Sequence, residues 1–82
     1  MELAELQQII EQSFPASTVS VTGDGYHFQV TVISDEFAGL LKVKRQQQVY
    51  QALNEFIKDG TLHAVTLSCY TTQEWEQQQN ER

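Results

Sequence analysis

The amino-acid sequence predicts a small α+β domain of order αββααβ, with helices packed on one face of a three-stranded mixed sheet. Three observations predict it. Val49, Leu53, Phe56 and Ile57 recur at i, i+4, i+7 and i+8, one apolar stripe on a 3.6-residue period. Tyr26, Phe28, Val30 and Val32 alternate with His27, Gln29 and Thr31, and Val65, Leu67 and Cys69 alternate with Ala64, Thr66 and Ser68. That is the period of strands with one buried face. Between two alternating runs, Gly23-Asp24-Gly25 supplies an Asp-Gly hairpin turn.

The elements follow in order. Glu2 to Ser13 is a helix with Leu3, Leu6, Ile9 and Ile10 on one side, closed by Phe14 and Pro15. Val19 and Val21 alternate with Thr18, Ser20 and Thr22 in a first short strand, and Tyr26 to Val32 form the second. Ser34 is placed to N-cap a brief helix from Asp35 to Ala38, which Gly39 ends. Leu40, Leu41 and Val43 lead into a long helix from Lys44, whose stripe Tyr50 and Ala52 widen. Gly60 is its left-handed stop. His63 to Tyr70 form the third strand. Thr71 and Glu74 have the spacing of a capping box, opening a last short helix that carries Trp75. From Gln77 the tail is polar and expected to fray. Phe28, Tyr50, Phe56 and Trp75 are expected in the core. The first two strands pair as a hairpin. The third returns by a helical crossover and so runs parallel to one of them, most simply the second.

At 82 residues the chain is one domain, residues 1–82. A chain of this size buries about 60% of its unfolded surface, so its core is modest. One cysteine excludes an intramolecular disulfide and fits a reducing compartment. The start MELAELQQ is acidic and amphipathic rather than a signal peptide. No apolar run approaches the roughly 18 residues of a membrane span. The expectation is a soluble cytoplasmic protein. A net charge of −6 rules out a broad electrostatic grip on nucleic acid, yet three of five basic residues, Lys42, Lys44 and Arg45, are clustered. That cluster is either a solvated surface group or a site for an anionic partner, since cations near a helix start are disfavoured by the dipole. The sequence carries no CxxC, no Walker motif and no nucleophile–base pairing, so catalysis is not expected. Cys69 falls on the core face of its strand and is expected to be a small buried hydrophobe.

At GDGYHFQVTVISDEFAG, RQQQVYQALNEFIKDGTLHAV and YTTQEW the chain closely resembles the BolA family, most of all its short bacterial IbaG/YrbA-like branch. The resemblance covers about Leu3 to Glu76 and implies a class II KH-like fold, in agreement with the order above. It also implies a monothiol glutaredoxin as partner in a heterodimer, the pair holding or passing on a glutathione-ligated 2Fe–2S cluster. Alone, the chain is expected to be a monomer or weak homodimer. The family is also described as stress-linked DNA-binding regulators of cell shape. The family's ligand histidine matches His63 in the LHA block. A second ligand, His or Cys in relatives, belongs to the loop between the first two strands. Here that loop is Gly23-Asp24-Gly25, so the nearest candidate is His27. Parallel neighbouring strands would start both histidines at one end of the sheet, about 5 Å apart. Imidazole in place of thiolate on one iron is known chemistry for 2Fe–2S centres, and it binds only when neutral. The chain cannot fill four ligand positions alone. DNA binding would use Lys42, Lys44 and Arg45 at the far end of the sheet. The KH backbone clamp is not expected, because Gly39-Leu40-Leu41-Lys42 holds one glycine where the GxxG loop has two.

Overall fold

The computed structural model describes residues 1–80. Its elements are α1 (Leu3–Ser13), β1 (Thr18–Gly23), β2 (His27–Ile33), a 3-10 turn (Asp35–Phe37), α2 (Lys42–Lys58), β3 (Ala64–Tyr70) and α3 (Thr72–Asn80). The sheet order is β1-β2-β3, with β1 antiparallel to β2 and β2 parallel to β3. The predicted α+β order and the crossover onto the second strand are both seen.

Register explains which face is buried. Gly23–Phe28–Val65, Val21–Val30–Leu67 and Val19–Val32–Cys69 form three rows across the sheet. Phe28, Val30 and Val32 are buried, as are Val19, Leu67 and Cys69. Leu6 and Ile10 of α1 and Val49 and Leu53 of α2 complete this core with Phe37 and Leu62. The intervening rows, Thr22–Gln29–Thr66 and Ser20–Thr31–Ser68, are hydroxyl and amide side chains on the other face. Helix α2 also closes the outer edge of β3. Arg45, Gln46 and Tyr50 donate to the Cys69, Leu67 and Val65 carbonyls at 3.3, 3.2 and 3.4 Å. Successive helix positions meet earlier strand positions, so α2 runs antiparallel to β3. The unpaired carbonyls that make an edge strand a template for association are thereby occupied.

Several local expectations are corrected. The long helix starts at Lys42 rather than Lys44, and the brief helix is a 3-10 turn ending at Phe37, with the Ser34 hydroxyl accepting from the Glu36 N–H at 3.1 Å. Tyr50 is 38% exposed, because a residue next to Val49 is turned about 100° off the stripe. Ile57 is also at the surface. Phe56 and Trp75 are half-buried, and Trp75 packs on Tyr70 with ring centroids 5.3 Å apart. The tail expected to fray from Gln77 is helical to Asn80, while Glu81 and Arg82 lie outside the described residues.

The largest correction is Arg45, placed by the sequence in the anionic-partner cluster. It is 5% exposed and spent inside the fold. Its guanidinium donates to both Glu74 oxygens at 2.6 and 3.1 Å, to the Leu40 carbonyl at 2.9 Å and to the Cys69 carbonyl. Glu74 also completes the predicted capping box, accepting from the Thr71 N–H at 3.0 Å while its own N–H donates to Thr71 Oγ1 at 3.2 Å. One guanidinium therefore ties the start of α2 to the end of β3 and the start of α3. A bidentate pair of this kind is geometrically specific.

The Arg45 hydrogen bonds hold the Glu74 carboxyl at about 2, well below its ordinary 4.5. Its contribution to stability is full above pH 4.5, fades as pH falls and is gone once pH passes the folded value near 2. Glu74→Gln is expected to flatten the stability–pH curve within that window, measured as thermal midpoints across the acid range. An unchanged acid limb would show that the pair does not form. Arg45→Ala, which strands two backbone carbonyls, is expected to cost about 2–3 kcal/mol in chemical denaturation.

Candidate metal-ligand site at the start of the parallel strands

The hairpin between β1 and β2 fixes one end of the sheet. Gly23 and Gly25 both take positive φ, and a Cβ on Gly23 would collide with the His27 carbonyl. The Asp24 carboxylate accepts from the Tyr26 and His27 N–H groups at 2.9 and 2.8 Å. Those bonds, led by the one from His27, hold the Asp24 carboxyl below its usual range. They also take the amide that would have carried β2 back to Tyr26. Tyr26 therefore leaves the core row predicted for it and stands 55% exposed in the turn.

His27 opens β2 on the open face and is exposed. His63 precedes β3, which starts at Ala64, and is also exposed. The parallel pairing places both at the same end of the sheet, as the sequence suggests. However, His27 pairs with Ala64, so His63 stands one residue out of register, opposite Tyr26. The Tyr26 ring lies stacked on His63, with centroids 5.0 Å apart and planes at 17°, and meets His27 edge-on at 4.8 Å and 73°. Tyr26 thus touches both imidazoles. Sequence reasoning missed it because strict alternation assigns it to the core. The available signal was its place directly after Asp24-Gly25, where turn chemistry overrides pleat parity.

No cluster of three or more His, Cys, Asp or Glu able to hold a metal occurs among the described residues. Two exposed imidazoles leave at least two positions of a four-coordinate site to outside donors. The remaining soft donor, Cys69, is buried, as expected of a small hydrophobe. Burial pushes its thiol up to about 11 despite the opposing Arg45, a cation the sequence did not place beside it.

The basic group occupies the opposite end. Lys42 borders a cleft with Gln46, Leu67 and Tyr70, near the end of β3. Lys42 and Lys44 are exposed, as are Leu41 and Val43 between and before them. With Arg45 internal, the surface cluster reduces to two lysines. The histidines and the lysines lie at opposite ends of the sheet.

The order of these elements and the three-stranded mixed sheet make this an α+β domain with helices packed on one sheet face. A family model described as "BolA-like protein" matches residues 4–74, and the chain belongs to the BolA family. It is 43% identical over 75 residues to the acid stress protein IbaG of Escherichia coli, covering 92% of this chain and 89% of that protein. It is 44% identical over 59 residues to the DNA-binding transcriptional regulator BolA of Vibrio cholerae, covering 72% of this chain and 55% of that protein. The solved structure of a BolA homologue from Coxiella burnetii superposes with a TM-score of 0.82 at 34% identity, covering 93% of this chain and 97% of that one.

Cys69 is expected to resist alkylation in the folded protein at neutral pH and to react on denaturation. Mass spectrometry after iodoacetamide treatment checks this. Stoichiometric labelling of the native protein would mean the thiol is reachable as a ligand or nucleophile.

Proposed function

We propose that this chain is a noncatalytic adaptor that pairs with a monothiol glutaredoxin to hold or pass on a glutathione-ligated 2Fe–2S cluster. Family membership supports the reading, and one observation carries it for this chain: His63 stands exposed at the rim of the sheet, free of the core. Its imidazole is the ligand this chain would lend, with His27 at the same strand end as the candidate for a second. Glutaredoxin and glutathione would supply the thiolates that the chain lacks. The cluster itself supplies iron and sulfide that a client protein takes up, and this chain's part is to bind, orient and release.

A second reading is favoured by the Vibrio cholerae relative, whose name makes it a DNA-binding regulator. On this chain it would rest on Lys42 and Lys44, and without Arg45 it loses a third of its charge. Exposed Leu41 and Val43 beside them offer nothing to a phosphate backbone.

Substitutions separate the two. His63→Ala is expected to remove most of the cluster absorbance of a glutaredoxin mixture and to leave any DNA affinity intact. Replacing Lys42 and Lys44 together by Ala is expected to do the reverse, lowering the salt dependence of DNA binding by about one unit of slope per lysine. Cluster absorbance that survives His63→Ala would remove the adaptor reading.

A further inference from the structure

A histidine that ligates a metal is ordinarily oriented by a hydrogen bond from its other ring nitrogen to a carboxylate or carbonyl. Among the described residues, His63 makes no side-chain hydrogen bond, and what its ring packs on is Tyr26. At 5.0 Å and 17° the two rings are stacked, which fixes a plane in a way that a shapeless apolar contact does not. Tyr26 is itself fixed. Its backbone N–H donates to Asp24, Gly25 beside it has φ 91°, and the His27 ring abuts it edge-on. Its hydroxyl makes no hydrogen bond to a protein group among the described residues, so it is the ring face that acts.

We propose that Tyr26 is a positioning residue for His63, its ring setting the imidazole plane and hence the ring edge that meets the partner-held cluster. This rests on His63 being the shared ligand. Stacking on one ring face restricts rotation about the side-chain torsions of the exposed His63, so less freedom is lost when the imidazole engages. Asp24 acts one step further out, holding the turn that carries Tyr26.

Three variants test it: Tyr26→Phe, Tyr26→Ala and His63→Ala. In the uncomplexed protein, nuclear magnetic resonance should show His63 ring protons shifted upfield by the phenol. That shift should persist in Tyr26→Phe and be lost in Tyr26→Ala. With glutaredoxin, glutathione, iron and sulfide, Tyr26→Ala should weaken cluster retention roughly tenfold, the scale of losing an outer-shell partner, while Tyr26→Phe stays within about twofold. The affinity of the cluster-free pair should be unchanged in both, because the role is orientation of His63 and not contact with the partner. Wild-type His63 shifts in Tyr26→Ala would overturn the proposal. So would undiminished retention, or an equal loss in the cluster-free pair. If His63→Ala leaves retention unchanged, the adaptor reading fails. The ring-proton comparison then still decides whether Tyr26 orients His63.

Discussion

The parallel pairing of β2 with β3 is the constraint on which the rest of the structure depends. Parallel neighbours cannot be joined by a turn, so the chain must cross the sheet between them, and α2 is that crossing. The crossing covers one face and leaves a hydroxyl-rich face open. It also brings the starts of β2 and β3, with His27 and His63, to one end. The start of α2, with Lys42 and Lys44, is sent to the other. An antiparallel third strand would have put His63 among the lysines.

Packing at the far end holds that pairing in place. β3 is an edge strand, and α2 occupies its outward carbonyls through Arg45, Gln46 and Tyr50. Arg45 is the strongest of the three, since its second partner, Glu74, is also the cap of α3. The only charged group buried among the described residues thus serves architecture, with its charge answered by a half-exposed carboxylate. The chemically suggestive side chains, in contrast, sit where nothing encloses them. Among the described residues, His27 and His63 stand exposed at one end of the sheet with no third donor beside them.

What the sequence disclosed and what it hid divide along physical lines. Strand alternation from Phe28 and Val65 onward, the Gly60 stop, the Ser34 cap and the Thr71–Glu74 box are local, and each is found where it is expected. So is the end-of-sheet placement of His27 and His63, which needs only the topology. Arg45 was misjudged because a charge beside two lysines looks like surface, and its partner lies 29 positions away. Tyr26 was misjudged because a period of two was carried through a turn whose amides Asp24 had already claimed. Tyr50 was misjudged because a stripe was drawn too wide. For Arg45 a distant partner, and for Tyr26 a side-chain hydrogen bond, overrode what the local sequence suggests.

The central claim is that this chain presents an incomplete ligand set, made whole only by a partner. Anaerobic reconstitution with iron, sulfide and glutathione tests it most directly, comparing visible absorption of the chain alone with that of an equimolar mixture with monothiol glutaredoxin. Weak absorption alone, and strong absorption of a one-to-one complex in the mixture, is the expected result. Equal absorption with and without glutaredoxin would contradict it.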